Sequence, residues 1–331
     1  MKLGDKFPAF KAKTNMGIIE DFHEWMGDSW AILFSHPADF TPVCTTELAR
    51  AVQLAERFNE RGVRMIALSC DSPESHQRWI SDIIAYADVP HIAHRKLATE
   101  LGMLDPAEKD GAGIPLTARA VFIIDPKKQL RAQILYPATT GRNFEEILRV
   151  VDSLQLTDRL PVATPEGWNS ENETCMVQPS VPTSEAEKCF GRVDTVPMPS
   201  AENFPFEIIA DEDRKLATEL GMLDPAEKDG AGIPLTARAV FIIDPKKQLR
   251  AQILYPATTG RNFEEILRVV DSLQLTDRLP VATPEGWNSE NETCMVQPSV
   301  PMSEAEKCFG RVDTVPMPSG KSYLRKVHIN N

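Results

Sequence analysis

Two regular patterns of apolar and polar positions follow each other near the start of the chain. Residues 30–34, WAILF, form a short continuous apolar run, which predicts a buried strand. After Thr45 the apolar residues recur at helical spacing instead: Leu48, Val52, Ala55 and Phe58. Gly62 follows them and is expected to end the helix. The pattern therefore predicts a buried strand that leads directly into an amphipathic helix.

A cysteine lies at the junction between this strand and this helix. Thr41 suits the N-cap and Pro42 the first helical position, which makes Cys44 the third residue of the helix. Many free cysteines are only small buried apolar residues, and Cys44 could be one of them. However, the helix dipole and the free N–H groups of the first turn favour an anion there. The position therefore favours a reactive thiolate.

The residues around Cys44 resemble the active-site motif of the peroxiredoxins. Pro37, Thr41 and Cys44 match its P-x-x-x-T-x-x-C pattern, and the segment HPADFTPVCTTEL is similar to the one-cysteine, peroxiredoxin 6 group. Other similar segments are LGDKFPAF, RMIALSCDS, TARAVFIIDP and VATPEGW. The resemblance implies an α/β protein with a thioredoxin-like fold, in which helices flank a mixed central sheet. It also implies a small C-terminal domain that helps to form a homodimer.

A long stretch of the chain occurs twice. Residues 95–200, here called copy 1, recur as residues 214–319, here called copy 2, with Thr183 replaced by Met302. Solenoid repeats drift further apart than this, so the repeat indicates a recent partial duplication or an error in the gene assembly. The chain therefore has one N-terminal half, which carries Cys44, and two C-terminal halves.

The repeat predicts three parts. Residues 1–90 would be the N-terminal half of the thioredoxin-like domain, and residues 91–200 would be a first C-terminal half that lacks an edge strand. Residues 201–331 would be a second, complete C-terminal half, with the small C-terminal domain starting at about residue 275. The intact mass of the native protein would distinguish a real duplication from an assembly error.

The choice between the two copies depends on the segment that precedes copy 2. Residues 204–210, FPFEIIA, read as an apolar edge strand that copy 1 does not have. Closing the longer loop to copy 2 costs about 3 kcal/mol, which burial of this strand is expected to exceed. We therefore expect copy 2 to complete the sheet, with copy 1 as an insertion. In the alternative, copy 1 fills the sheet and borrows only the strand at 204–210. The copy left out is expected to expose strands and to favour aggregation or domain swapping.

A peroxidatic thiolate needs a cation, and arginine suits this role because it stays charged and offers several fixed donors. In the family this arginine lies on a strand that the segment TARAVFIID matches, which gives Arg238 in copy 2 and Arg119 in copy 1. Without the resemblance, a surface ion pair would be the simpler interpretation. The choice between the two arginines stays open, and the preference for copy 2 favours Arg238.

Four residues near Cys44 complete the candidate site that the resemblance implies. Thr41 would hydrogen-bond the peroxide or the thiolate, and Pro37 would shield the thiolate from water. His36 matches a pocket histidine of the family, although a lone histidine at a strand end is often structural. Glu47 matches a carboxylate near the arginine, and its alternative is a solvated residue in the first helical turn.

The resemblance implies a thiol-specific peroxidase. Cys44 would reduce hydrogen peroxide and organic hydroperoxides, with phospholipid hydroperoxides among them, and would become a sulfenic acid. An external thiol, with glutathione the usual one in the family, would regenerate it, and no cofactor or metal is expected. The non-enzymatic alternative is a holdase or redox-interaction protein in which the duplication has spoiled the sheet.

The other five cysteines are expected to play no part in the reaction. Cys70 ends the segment VRMIALSC and reads as a core residue. The remaining four lie in the two copies, outside the sequence context of a resolving cysteine: Cys175, Cys189, Cys294 and Cys308. The sequence therefore favours a one-cysteine mechanism.

The peroxiredoxin 6 group also carries a phospholipase activity, which makes a phospholipase A2-like side activity a further alternative. Ser29 lies in a G-D-S-W context and His23 matches the family histidine, but Ala31 replaces a glycine. Lys127 and Lys246 fall at the position of the family aspartate. Without an acid to orient the histidine, this activity is the weaker expectation.

Composition limits the remaining classes of function. The net charge of -12 argues against nucleic acid or an anionic membrane surface as an obligatory partner. No apolar run approaches the roughly 20 residues of a membrane span, and the segment MKLGDKFPAF has no signal-peptide core. No C-x-x-C pair and no ligand-spaced histidine cluster is present, so no metal site is predicted. We expect a cytoplasmic protein.

Overall fold

The computed structural model describes most of the chain, in eight segments: residues 1–88, 104–109, 115–172, 174–178, 181–194, 206, 208–228 and 232–329. The junction expected before copy 1, at residues 89–94, lies outside the described residues, as does Phe204.

The N-terminal half alternates short strands and helices: β1 (Ala12–Thr14), β2 (Gly17–Ile19), α1 (Phe22–Met26), β3 (Trp30–Ser35), α2 (Pro42–Gln53), α3 (Ala55–Glu60), β4 (Val63–Leu68) and α4 (Pro73–Ala87). The apolar run at residues 30–34 lies in β3, and all six residues of this strand are buried. The expected helix starts at Pro42 and is interrupted at Leu54, which separates α2 from α3. The strand and the helix predicted from the apolar pattern are thus both present.

Copy 1 contains a strand hairpin followed by a long helix and a short C-terminal region: β5 (Leu104–Lys109), β6 (Pro115–Thr117), β7 (Arg119–Ile124), β8 (Leu130–Tyr136), α5 (Phe144–Arg159), β9 (Val162–Ala163), β10 (Met176–Val177) and α6 (Thr183–Phe190). Copy 2 repeats this order and extends it: α7 (Lys215–Glu219), β11 (Leu223–Lys228), β12 (Pro234–Thr236), β13 (Arg238–Ile243), β14 (Leu249–Tyr255), α8 (Phe263–Arg278), β15 (Val281–Ala282), β16 (Thr293–Val296), α9 (Met302–Phe309), β17 (Asp313–Thr314) and β18 (Arg325–His328).

A six-stranded sheet in the order β13-β14-β8-β7-β3-β4 forms the centre of the molecule. β3 and β4 are parallel, whereas β3 pairs with β7 in antiparallel register, with Leu33 opposite Phe122. The largest apolar cluster joins all three parts of the chain and includes Phe58, Phe144 and Val269. This architecture confirms the expected α/β fold with a mixed central sheet and flanking helices. Within the described part of the chain, no helix combines the length and apolar character needed to cross a membrane.

The two copies pair with each other through identical strands. β8 and β14 are antiparallel, with Ile134 opposite its own counterpart Ile253. Identical strands paired in this way have the symmetry of a two-fold dimer interface. The contacts around them follow the same symmetry, because the Tyr136 hydroxyl donates to Glu265 at 3.0 Å and the Tyr255 hydroxyl donates to Glu146 at 3.0 Å. The two copies therefore form a pseudo-symmetric pair inside one chain.

Copy 1, and not copy 2, joins the N-terminal half, because β3 pairs with β7 of copy 1. The prediction that copy 2 completes the sheet is therefore wrong. The strand expected to favour copy 2 is absent from the described residues of the segment, since residues 206 and 208–210 lie outside any strand. Phe206 is 63% exposed, and Ile208 and Ile209 are also exposed. Without that burial, the shorter connection to copy 1 is favoured, because nothing then offsets the cost of closing the longer loop to copy 2.

The C-terminal region of each copy packs against the other copy. The backbone N–H of Phe144 in copy 1 donates to Glu285 at 3.1 Å, and that of Phe263 in copy 2 donates to Glu166 at 3.1 Å. Gly141 approaches the Pro284 carbonyl so closely that a Cβ atom would lie 2.4 Å from its oxygen. When copy 1 joins the N-terminal half, this exchange brings the C-terminal region of copy 2 to α2.

Only copy 2 has the full set of strands in this region among the described residues. Its four-stranded sheet has the order β15-β16-β18-β17, whereas copy 1 forms the two-stranded sheet of β9 and β10. The reason is the sequence beyond residue 319, which supplies β18 and has no counterpart after copy 1. Joining the N-terminal half to copy 1 therefore places the complete C-terminal sheet against α2, which is a second physical reason for the arrangement.

Candidate active site

Cys44 is the third residue of α2 and is fully buried. Thr41 precedes the helix with extended backbone angles, φ -114 and ψ 146, as an N-cap residue does. Its hydroxyl donates to the Ala38 carbonyl at 2.8 Å and makes no capping bond to the helix. The predicted position of Cys44 in the helix and of Thr41 at the N-cap is confirmed, but the Thr41 side chain does not make the hydrogen bond that N-cap side chains usually make.

Arg119 of copy 1 contacts the cysteine directly. Its Nη1 atom lies 3.4 Å from Cys44 Sγ. Its Nε and Nη2 atoms donate to the Ala138 carbonyl at 2.9 and 2.6 Å, which fixes the direction of the guanidinium. Arg238 starts β13 at the far edge of the sheet, and three other strands lie between β13 and β3. Of the two candidate arginines, the structure therefore brings Arg119 and not Arg238 to Cys44.

Glu47 is fully buried one helical turn after Cys44 and accepts bonds from two arginines. Arg119 Nη1 donates to its Oε2 atom at 2.6 Å. Arg142 donates to it through its backbone N, Nε and Nη2 atoms at 2.7, 3.0 and 2.8 Å. The solvated alternative for Glu47 is thus excluded, because its carboxylate holds both guanidinium groups in place.

Charge compensates for burial in this cluster. Burial favours the neutral form of Glu47, but the charges of Arg119 and Arg142 outweigh it and lower the pKa of the carboxyl group. Burial likewise disfavours the charged form of Arg119, but its interactions with Glu47 and Cys44 outweigh it and raise its pKa. Arg119 therefore stays positively charged beside the cysteine sulfur.

Arg142 was not among the residues predicted from the sequence. It lies in the segment ATTGRNFEE, which belongs to the resembling region but carries no spacing signal toward Cys44. Its guanidinium carbon lies 5.4 Å from the centre of the Phe34 ring and 5.8 Å from that of Phe144. Its contact with Glu47 is seen only in the tertiary structure, where β3, α2 and the start of α5 meet.

His36 and Pro37 are buried at the end of β3, next to copy 1. The Thr117 hydroxyl of copy 1 donates to the His36 carbonyl at 2.9 Å. The His36 Nε2 atom lies 3.2 Å from Asp39 Oδ1, and the other oxygen of Asp39 bonds to His76 Nδ1 at 2.5 Å. These contacts give His36 a structural role in the loop before α2, and Pro37 is held in the same loop.

This loop and the loop between β4 and α4 together contain a group of possible metal ligands. His36, Asp39 and Asp71 each place one ligand atom within 4.8 Å of the others. Asp39 already bonds to two histidines through its two carboxylate oxygens, and its backbone N–H donates to Asp71 at 2.9 Å. The group is therefore accounted for as a hydrogen-bond network that fixes the loop.

The end of copy 2 and the residues that follow it cover the helix that carries Cys44. The Tyr323 hydroxyl lies 3.1 Å from Thr45 Oγ1 and donates to Asp82 of α4 at 3.0 Å. Ser319 donates to the same carboxylate through its backbone N and its hydroxyl at 2.8 and 2.6 Å. Tyr323 also belongs to the apolar cluster around Cys44. The site is therefore assembled from the N-terminal half, copy 1 and the end of copy 2.

All six cysteines are free thiols. Cys294 is buried, and burial raises its pKa to about 12, which disfavours its thiolate. Cys175 is half-buried, whereas Cys189 and Cys308 are exposed. Cys70 is exposed as well, so its predicted place in the core is wrong.

The residues considered for a phospholipase activity do not form a catalytic group. The His23 Nε2 atom bonds to the Phe7 carbonyl at 2.6 Å, and no hydrogen bond joins His23 to Ser29 within the described ranges. Asp125, the acidic residue two positions before Lys127, accepts from the backbone N–H of Gln129 at 2.9 Å and pairs with Arg131. The geometry therefore gives this alternative no support.

The comparisons with known proteins agree with the site. The AhpC/TSA family profile matches residues 3–133. The 1-Cys peroxiredoxin of Dirofilaria immitis is 55% identical over 222 residues, which cover 61% of this chain and 94% of that protein. The peroxiredoxin-6 of Rattus norvegicus is 55% identical over 213 residues, with the same coverage. The chain belongs to the peroxiredoxin family. It is accordingly a thiol peroxidase, which is an oxidoreductase.

Solved structures of other peroxiredoxins share this fold. A mutant of the peroxiredoxin 6 of Arenicola marina has a TM-score of 0.55 and 38% identity, and the match covers 77% of this chain and 98% of that one. A yeast mitochondrial 1-Cys peroxiredoxin, studied for thiol resolution through the glutathione and thioredoxin systems, has a TM-score of 0.53 and 39% identity. That match covers 60% of this chain and 96% of the yeast chain.

Proposed function

We propose that this peroxiredoxin reduces hydrogen peroxide and organic hydroperoxides at Cys44, with Arg119 as the cation that stabilises the reacting atoms. The observation that carries the proposal is the contact of 3.4 Å between Arg119 Nη1 and Cys44 Sγ at the start of α2. The positive guanidinium and the positive end of the helix both favour the thiolate over the thiol. Phospholipid hydroperoxides are included among the proposed substrates.

The proposed reaction transfers one oxygen atom to the sulfur. The Cys44 thiolate attacks the nearer oxygen of the hydroperoxide, the O–O bond breaks, and the leaving alkoxide or hydroxide takes up a proton to give an alcohol or water. Sulfur is oxidised to a sulfenic acid and the peroxide is reduced. Arg119 would stabilise the negative charge that develops on the leaving oxygen. Pro37 and Thr41 would shape the space in front of the sulfur.

An external thiol is proposed to return the sulfenic acid to the thiol. One thiol condenses with it to form a mixed disulfide and water, and a second thiol releases Cys44 and leaves with the first as a disulfide. Glutathione is the proposed donor, by analogy with the yeast mitochondrial 1-Cys peroxiredoxin, whose thiol is resolved through the glutathione and thioredoxin systems. Cys189 and Cys308 are exposed, whereas Cys44 is buried. Neither of them is proposed as an internal thiol that resolves the sulfenic acid.

The proposal is tested by stopped-flow oxidation of the reduced protein with hydrogen peroxide. Cys44→Ser should abolish the reaction, because a serine hydroxyl is not ionised at this position, while the exposed control Cys70→Ser should react normally. Second-order kinetics no faster than those of free cysteine would contradict the proposal. Loss of activity in Cys70→Ser but not in Cys44→Ser would do so as well.

We further propose a cytoplasmic location. We also propose a homodimer, but not one that forms through the edge of β8. Two chains could in principle pair through the edge of β8, with identical strands side by side. In this structure β14 of the same chain already occupies that edge. A homodimer would therefore use another face. Sedimentation analysis should then show a species of twice the 36.9 kDa chain mass that survives substitutions at the contact between β8 and β14.

A further inference from the structure

Copy 2 repeats the arginine pair of the active site without the carboxylate that this pair holds in copy 1. Arg119 and Arg142 both donate to Glu47 Oε2, at 2.6 and 2.8 Å. Their counterparts in copy 2 are Arg238 and Arg261. Neither counterpart forms an ion pair with a carboxylate within the part of the chain that the structure describes.

Each of the two arginines of copy 2 keeps one of the backbone contacts that orient its counterpart in copy 1. Arg238 Nε donates to the Ala257 carbonyl at 2.7 Å, and Arg261 Nη1 donates to the Ala239 carbonyl at 3.2 Å. The corresponding bonds in copy 1 are both 2.9 Å long. The same local sequence thus anchors both guanidinium groups in copy 2, with donors left over for a ligand.

The charge of this pair is not neutralised. Burial, followed by the positive charge of Arg238, lowers the pKa of Arg261. Two half-buried cations side by side attract an anion, and a carboxylate matches the planar fork of arginine donors. Since the whole chain has a net charge of -12, any such attraction must come from this local pair.

Apolar side chains surround the pair and determine what else the ligand should contain. In copy 1 the guanidinium of Arg142 contacts both the Phe34 ring and the Phe144 ring. In copy 2, Arg261 lies 5.6 Å from the Phe263 ring, while no residue takes the place of Phe34 among the ring contacts of the described residues. Phe263 is 51% exposed. One face of the guanidinium is therefore available to an aromatic ring.

We propose that Arg238 and Arg261 of copy 2 form a binding site for a small organic anion with one carboxylate and an aromatic or other apolar body. The carboxylate takes the place that Glu47 has in copy 1. The apolar body stacks on Arg261 where the Phe34 ring lies in copy 1, and it covers Phe263. The site lies across the sheet from Cys44 and is separate from the peroxidase site.

Isothermal titration of the full chain with 3-phenylpropionate tests this assignment. We expect saturable binding with one site per chain. Binding should weaken by at least about tenfold in the double variant Arg238→Ala/Arg261→Ala, because charge-assisted bonds hold the carboxylate. The charge-matched control Arg250→Ala/Arg278→Ala removes one arginine from the start of β14 and one from the end of α8, and it should bind like the wild type.

Either double variant could misfold, so the melting curve and circular dichroism of each are measured in parallel. The variant Arg238→Lys/Arg261→Lys preserves the charge but loses the planar donors of arginine, and it should also bind more weakly.

Two ligand analogues separate the contributions of the carboxylate and the ring. Neutral 3-phenylpropanol should bind at least about tenfold more weakly, and acetate should bind more weakly than 3-phenylpropionate. Equal binding of the alcohol would overturn the proposal in favour of a plain apolar patch. Unchanged binding in folded Arg238→Ala/Arg261→Ala would overturn it too, as would the absence of saturable binding. Self-association that the double variant abolishes, without binding of the small anion, would assign the site to an acidic side chain of another molecule and would also overturn the proposal.

Discussion

Copy 1 and copy 2 have almost the same sequence and share most of their strands and helices, yet they differ in what covers them. Leu148 of α5 is 1% exposed, whereas its counterpart Leu267 of α8 is 57% exposed. Phe144 is fully buried, and Phe263 lies half in solvent. The difference arises because α2 and α3 of the N-terminal half pack on α5 of copy 1, whereas no hydrogen bond joins them to α8 of copy 2 among the described residues. Local sequence is therefore enough to form these elements, but a partner surface decides which of their residues become core.

The same difference decides which of the two equivalent arginines lies in the active site. Arg119 contacts Cys44 and Glu47, while Arg238 starts the strand at the sheet edge. Each arginine has an identical neighbourhood along the chain. The pair therefore offers matched substitutions in which one member tests the effect and the other serves as its control.

The largest expected difference concerns catalysis. Arg119→Ala should lower the rate of peroxide reduction by about 10²- to 10³-fold, because it removes the cation beside the reacting sulfur. Arg238→Ala should change the rate less than about twofold. Stopped-flow kinetics with hydrogen peroxide measure both, and circular dichroism checks that each variant is folded. A dominant loss in Arg238→Ala would show that copy 2 completes the site in solution.

A second pair of substitutions tests the difference in burial. Leu148→Ala should lower the free energy of unfolding by about 2 to 5 kcal/mol, because it leaves a cavity in the main core. Leu267→Ala should change it by no more than about 0.5 kcal/mol, since its side chain is exposed. Urea titrations followed by tryptophan fluorescence compare the two variants. Similar losses in both would mean that α8 is covered in solution.

The smallest expected difference concerns the carboxylates that each copy presents to the other. Burial raises the pKa of Glu285 from 4.5 to about 7, so protonated Glu285 is the form that the folded state favours. The stability from this group is fully present below about pH 4.5 and is lost as the pH rises toward 7.

Glu285→Gln stays neutral, and its amide oxygen can still accept the bond from the Phe144 N–H. It should therefore become more stable than the wild type between about pH 4.5 and 7, by about 1 to 3 kcal/mol at the upper end. The matched variant Glu166→Gln replaces an exposed side chain that makes the same bond to Phe263, and its difference from the wild type should stay small at every pH. Thermal unfolding across this pH range measures both, and a parallel gain in Glu166→Gln would show that burial is not the cause.

Much of the site could be predicted from residues close together in the chain. The apolar run of β3, Pro42 at the first helical position and Gly62 after the helix are local signals, and they place Cys44 in the first turn. The resemblance added both candidate arginines and Glu47. Arg142 could not be predicted, because its contact with Glu47 joins residues 95 positions apart that no local pattern relates. The hydroxyl of Thr41 also turned to the Ala38 carbonyl, a choice among local bonds that the helix signal leaves open.

The sequence by itself determined the elements, the repeat and the chemistry near Cys44, because these depend on patterns a few residues long. It did not determine which of two nearly identical copies completes the sheet, since both offer the same strand to β3. Only the tertiary structure decided this, through the shorter connection to copy 1 and the exchange of C-terminal regions between the copies. That exchange brings Tyr323 and the complete C-terminal sheet of copy 2 to α2 when the N-terminal half joins copy 1. Two identical sequences thus acquired different roles because only one set of neighbours was available to bury them.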